Sequence, residues 1–261
     1  MNTNLPIMSD LQAAGKHPEY LYWVGCAGAF DDRYQKVARA FARILNHLEI
    51  DYAVLGKEET CNGDPARRAG NEMLFHMQAS MVVETLTRYE VKKIVTTCPH
   101  CFNIFKNEYP DVGWSGEVVH HTQFLQQMID NGKLKVPVEV FKNQKVVFHD
   151  PCYLGRGNDE YEAPRKVIDA LETQRVEMSR AKSFALCCGA GGAQMFKEAE
   201  PGNKEVYAER TEEALATGAR VIATACPFCM TMLTDGIKYQ NKEEEVENLD
   251  VAEMIATSLG L

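Results

Sequence analysis

The chain has no C-x-x-C-x-x-C run, no G-x-G-x-x-G opening a helix after a strand, and no G-x-x-x-x-G-K-[ST]. The first absence argues against ferredoxin-type clusters on this chain. The others leave a dinucleotide or a nucleoside triphosphate without a backbone cradle. There is no convincing flavin site and no low-complexity segment. Positive charge is scarce: 28 Lys and Arg stand against 37 Asp and Glu, for a net charge of −9. No basic stripe is available to displace counterions, which argues against nucleic-acid binding. No apolar stretch approaches the roughly 18 residues of a membrane span, and the first twenty residues lack the apolar core of a signal peptide. The cytosol is the expected compartment, and direct membrane insertion is not expected. At 45% hydrophobic and 25% charged the composition is that of an ordered globular chain. Its 261 residues allow one large or two small domains, burying roughly 70–75% of the unfolded surface.

What the chain does have is nine cysteines in two copies of one pattern. Cys26, Cys61 and the pair Cys98/Cys101 form the first. Cys152, the doublet Cys187/Cys188 and the pair Cys226/Cys229 form the second. The offsets are 126, 126, 128 and 128 residues. Cys188 alone lacks a cysteine counterpart; Asn62 stands there. A reducing cytosol fits poorly with disulfides. A buried apolar thiol accounts for any single cysteine, but thiols in matched registers read as ligands of a metal or cluster.

The repeat extends to the elements. YLYWVGC at 20–26 matches VVFHDPC at 146–152, each an apolar run ending in cysteine and read as a buried strand. Helical periodicity follows at 32–48 through Tyr34, Val37, Phe41, Ile44, Leu45 and Leu48, and more briefly at 162–171. Second strands are expected at 51–55 and 175–178. KKIVTT at 92–97 matches RVIATA at 220–225, and each runs into Cys-Pro-x-Cys. Strand-then-helix pieces at 117–129 and about 245–257 close the halves. Alternating strands and helices imply parallel sheets with crossover helices. The expected fold is α/β, with two pseudo-symmetric lobes from an internal repeat, each a small parallel sheet with crossover helices. The expected boundaries are an N-terminal arm at 1–19, a first cysteine-rich lobe at 20–137 and a second at 138–261. The polar segment 131–144 links the lobes, and the charge run 238–247 reads as a solvated face.

In Cys98-Pro99-His100-Cys101 the proline suits the first helical position, which places Cys98 near the N-cap and Cys101 one turn on. The helix start supplies free N–H groups and a positive dipole end, which favour thiolates and anionic clusters. Cys226-Pro227-Phe228-Cys229 repeats the device. The cysteine positions at strand ends fall where ligands gather in open α/β sheets. Gly25, Gly28, Gly63, Gly155, Gly189, Gly191 and Gly192 lie close to the cysteines in sequence and let backbone N–H groups approach a bulky core. A thiolate-rich, histidine-poor set favours iron–sulfur or zinc. Five cysteines in the second lobe are one too many for tetrahedral zinc or an ordinary cubane cluster; the four of the first lobe fit either.

Cys152, Cys187-Cys188-Gly189 and Cys226/Cys229, with gaps of 34 and 37 residues, resemble the CCG cysteine-rich domain of the B-type subunit of heterodisulfide reductase. The first copy, reading Cys61-Asn62-Gly63, departs at the doublet. The resemblance covers about residues 20 to 235 and implies electron transfer. It implies a noncubane [4Fe–4S] cluster on Cys152, Cys187, Cys188, Cys226 and Cys229. For Cys26, Cys61, Cys98 and Cys101 the expectation is a cubane [4Fe–4S] cluster, with zinc second. HDPCYLGR at 149–156 looks most like the broader group of iron–sulfur subunits of glycolate and lactate oxidation and of flavoprotein:quinone oxidoreductases. The implied role is an electron-transfer subunit of an oxidoreductase complex. Its implied partners are a ferredoxin-type iron–sulfur subunit and a flavoprotein or quinone-reactive membrane subunit, the only route to a membrane. Heterodisulfide cleavage, a structural zinc module and a thioredoxin-like dithiol at either C-P-x-C are the competing readings.

Among other residues, His149 is either a hydrogen-bond donor to a cluster or a packed strand residue. His100 reads as shielding, and His120/His121 as capping or core. Asp64 reads as a cap for a helix starting at Pro65. Arg67, Arg68 and Arg156 read as solvated charge. Met73, Met77 and Met81, at four-residue spacing, read as core.

Overall fold

The computed structural model describes residues 5–198 and 201–261. In the first half the order is α1 Met8–Ala13, β1 Tyr20–Trp23, α2 Gly25–Phe30, α3 Tyr34–His47, β2 Tyr52–Ala53, α4 Asp64–Arg68, α5 Glu72–Arg88, β3 Lys93–Thr96, α6 Pro99–Asn107, β4 Glu117–His120 and α7 His121–Asp130. In the second it is β5 Lys145–Phe148, α8 Gly155–Asn158, α9 Glu162–Asp169, β6 Gln174–Val176, α10 Val206–Ala216, β7 Val221–Thr224, α11 Pro227–Tyr239, β8 Glu247–Asp250 and α12 Val251–Ser258. All strand pairs in both sheets are parallel, in the orders β2-β1-β3-β4 and β6-β5-β7-β8. The two halves thus share one topology. Helices cover both faces, so the central strands are buried throughout and mostly apolar, as VIAT of β7 shows.

The segment expected as an arm lies against the first lobe. Met8 N–H donates to Val54 O and Val54 N–H to Pro6 O, each at 2.9 Å, and the Met8 side chain is buried. Met73, Met77 and Met81 depart from expectation. They lie on the exposed face of α5, at 75%, 60% and 57% exposure, while Phe75, Ala79, Val82 and Leu86 fill its buried face. Four-residue spacing marks a face without saying which side the core takes.

The lobes join through one continuous core. Helix α3 packs on α12, and α7 on α9. Phe41, Phe124, Val167 and Ile255, all fully buried, share a cluster. The junction has the reciprocity of a two-fold interface. Arg33, just before α3, pairs with Glu253 of α12 at 2.6 Å; Glu160, just before α9, accepts from Gln123 of α7 at 2.6 Å. His120 and Asp250, 130 residues apart, each N-cap the helix after the last strand with a capping box.

At the centre of the junction His121 Nε2 and Asp250 Oδ1 lie 3.0 Å apart, both fully buried. Burial lowers His121 to about 3, so at neutral pH the imidazole is uncharged, and it is the donor when Asp250 is ionised. Burial raises Asp250 to about 7. A carboxyl raised on folding contributes stability that is present in full below its unfolded pKa and lost as pH rises through about 7. Asp250→Asn keeps an acceptor for Ala252 N–H and removes the charge. Its urea midpoint is expected to change less than wild type between pH 5.5 and 8. Equal slopes in the two proteins would contradict the assignment.

Candidate metal centres

Each C-P-x-C begins as its residues dictate. Cys98 and Cys226 are extended N-cap residues, and Pro99 and Pro227 take the first helical position. Cys26 and Cys152 fall just past the ends of β1 and β5, Cys26 in the first turn of α2. The Cys61 and Cys187 turns match in detail. Gly63 N–H points to Cys61 Sγ at 3.5 Å and Gly189 N–H to Cys187 Sγ at 3.3 Å. Both glycines have positive φ, +87° and +94°, which L side chains rarely adopt.

In the second lobe the five cysteines form one chain of neighbours, with Cys187, Cys188, Cys226 and Cys229 in a single cluster. Cys152 contacts Cys187, Cys187 contacts Cys188, Cys188 contacts Cys229, and Cys229 contacts Cys226. An imidazole nitrogen of His149 and the sulfurs of Cys188 and Cys229 lie within 4.8 Å of one another. The thiols compete for protons. Hydrogen bonding to Cys187 and burial push Cys152 up, and Cys188 and Cys229 rise similarly. Thiol hydrogen bonds from Cys152 and Cys188 hold Cys187 far down. Burial works against the Cys226 thiolate, but bonds from Cys229 and His100 outweigh it and bring Cys226 to about 5. Five thiolates this close repel one another, and a cationic centre among them is what permits all to ionise.

One nitrogen of His149 is committed. Arg210 Nε–H donates to Nδ1 at 3.0 Å, and a guanidinium only donates, so Nδ1 is the acceptor. Burial, then Arg210, lowers His149 to about 3, leaving a neutral ring with its proton on Nε2. Such a ring offers a donor rather than a metal ligand. Arg210 was hidden in the charged sequence of α10, where an arginine reads as surface; it is fully buried.

Two carboxylates and an arginine set the loops. Asp150 accepts from Arg165 Nη1 at 2.7 Å, Arg165 Nη2 at 3.0 Å and Lys182 N–H at 2.8 Å, tying the approach to Cys152 to the loop before Cys187. Arg156 donates to Ala185 O at 2.5 Å and pins the same loop, so it is not free surface charge. In the first lobe Glu59 accepts from Val24 N–H at 3.1 Å and Gly25 N–H at 2.5 Å, tying the Cys26 turn to the Cys61 loop. Burial raises Glu59 to about 7.

The first-lobe sulfurs are more open. Cys98 and Cys101 are buried and in contact; Cys26 is exposed. Although the residue as a whole is exposed, the protein packed around its sulfur, with Cys98 and Cys61 nearby, raises Cys26 to about 11. Cys26, Cys98 and Cys101 line one small cavity with Asn62, Asp64 and His100. Cys61 stands with Cys26 and Glu59 on an adjoining groove of about 780 Å³. A Cβ on Gly25 would meet Cys101 Sγ at 3.4 Å.

His100 and Phe228, 128 residues apart, cross between the lobes. The His100 ring lies against Tyr153 and Phe228, with centroids 4.3 and 4.8 Å away, and reaches Cys226; Phe228 lines the first-lobe cavity. Asp64 is not a cap: Gly63 holds that position, and the carboxylate binds Arg68 Nε at 3.2 Å and His100 Nδ1 at 3.0 Å. Arg67 and Arg68 both pair with Glu108.

The geometry repeats twice, and so does a family match: the CCG cysteine-rich domain model fits residues 20–106 and again 146–234. The chain belongs to the CCG cysteine-rich domain family. Among curated relatives of this CCG protein, a probable iron–sulfur-binding oxidoreductase FadF of Bacillus subtilis is 44% identical over 99% of the chain and 36% of its own length. An EtfAB:quinone oxidoreductase of Syntrophomonas wolfei is 43% identical over 92% of the chain and 34% of its own. A subunit of the dihydromethanophenazine:CoB–CoM heterodisulfide reductase of Methanosarcina barkeri is 36% identical over 93% and 59%. The chain spans about a third of the first two relatives. Among the described residues no helix is long and apolar enough to cross a membrane.

Proposed function

We propose that the chain is the iron–sulfur electron-transfer part of a multi-subunit, flavin- or quinone-linked oxidoreductase. In this reading Cys152, Cys187, Cys188, Cys226 and Cys229 hold a noncubane-type [4Fe–4S] cluster, and Cys26, Cys61, Cys98 and Cys101 a cubane [4Fe–4S] cluster. The observation that carries it is the unbroken chain of five neighbouring cysteines in the second lobe, one more than tetrahedral zinc or a cubane cluster takes. The names of the relatives support iron–sulfur oxidoreductase chemistry.

Such clusters supply one-electron chemistry when bound. The chain's own residues shape the site. Gly189 N–H and His149 offer donors, and hydrogen bonds to sulfur favour the reduced state. Ala190, Met195, Met232 and Phe228 pack beside the sulfurs and keep water away. Cys26, exposed beside the groove, marks the edge where electrons would pass to a partner. A ferredoxin-type iron–sulfur part and a flavoprotein or quinone-reactive membrane part are the partners proposed, and peripheral membrane attachment would come through them.

The test is metal and sulfide analysis after anaerobic purification. The expected content is about eight iron and eight sulfide per chain, two four-iron clusters, with little zinc. A colourless protein carrying only zinc would overturn the reading.

A further inference from the structure

Asn62 stands where the second lobe has Cys188, 126 residues on. It lines the cavity of Cys26, Cys98 and Cys101 and is 4% exposed. The Asp64 N–H donates to Asn62 Oδ1 at 3.2 Å, which fixes the amide orientation and commits the oxygen. Nδ2 is then the free end, and it is buried without a partner. The backbone is held as firmly: Tyr109 OH donates to Asn62 O at 3.0 Å, and a Cβ on Gly63 would meet Phe75 Cδ2 at 2.8 Å. A buried N–H₂ with no acceptor is costly and calls for one. The other polar side chains of the cavity do not provide it. Asp64 is engaged with Arg68 and His100, and His100 with Asp64. The remaining polar side-chain atoms of the cavity are the sulfurs of Cys26, Cys98 and Cys101, and Nδ2 bonds none of them directly, so its acceptor would be a sulfur of the bound centre. An amide nitrogen has no free lone pair for iron, so Asn62 replaces a ligand with a donor.

We infer that Asn62 donates its side-chain N–H to the sulfur shell of the first-lobe centre, raising that centre's potential and restricting it to four thiolates where the second lobe has five. The inference rests on a cluster being present in the first lobe. A donor favours the reduced, more negative state, so losing it lowers the potential.

The experiment is an EPR-monitored redox titration of anaerobically purified protein, following the signal that survives Cys188→Ala, with iron counted in every sample. Asn62→Leu removes the donor at similar volume. Asn62→Asp keeps the acceptor for Asp64 N–H and removes the donor, so it serves if the leucine variant folds poorly. Both are expected to retain iron and shift the first-lobe midpoint to more negative potential, Asn62→Asp further because of its charge. Asn62→Cys is expected to give the first lobe the spectroscopic signature of the second. Iron retained in both donor-free variants with an unmoved midpoint would overturn the inference alone. Zinc in place of first-lobe iron in the wild type would overturn the cluster assignment, and the inference with it.

Discussion

Cys188→Ala is expected to abolish the EPR signal of the second-lobe centre, or replace it with a cubane-type signal, while first-lobe iron persists. Cys188 is 4% exposed, and its sulfur lies within 4.8 Å of Cys229 Sγ and a His149 nitrogen while also contacting Cys187. It is central to the chain of sulfur contacts, and alanine leaves four thiols that match an ordinary cubane site. If the second-lobe cluster is lost outright, iron falls by about half, one four-iron cluster of two. The first lobe draws its sulfurs from other elements and keeps its iron. Unchanged spectra in Cys188→Ala would contradict the five-sulfur assignment.

Arg165→Met carries the second large effect, on stability. Arg165 is 2% exposed. It grips both Asp150 oxygens, binds Glu177 through Nε and Nη2 at 2.8 Å each, and donates to Tyr161 O. Removing it strands the Asp150 carboxylate in the interior, which costs about 3–5 kcal/mol for a broken buried pair. Anaerobic urea unfolding of the loaded protein measures it. Arg165→Met/Asp150→Asn, which removes the stranded charge, is expected to recover part of the loss. A loss below about 1 kcal/mol would place the pair with exposed ion pairs.

The strands and the duplicated frame were legible because buried parallel strands leave apolar runs and cysteines punctuate them. The approach of Cys152 to Cys226 and Cys229 followed from β5 and β7 ending side by side at one sheet edge, whereas the Cys187/Cys188 doublet comes in on the loop after β6. What depended on how the lobes meet was not legible. His100 lies two residues after Cys98, yet its ring serves the other lobe, and nothing local in C-P-H-C says so. Arg165 and Arg210 were hidden for a related reason: a buried arginine looks like a surface one until its carboxylate or imidazole partner is placed. Met73, Met77 and Met81 share a face that periodicity fixes, and only packing shows it to be the exposed one. Asn62 registered as a missing ligand; its free N–H₂ emerged once Asp64 N–H had claimed its oxygen.

Anomalous scattering at the iron edge from anaerobically grown crystals tests the central claim most directly. Two iron peaks are expected, one enclosed by Cys152, Cys187, Cys188, Cys226 and Cys229, the other beside Cys26, Cys61, Cys98 and Cys101. Absence of iron among the five second-lobe sulfurs would contradict the account.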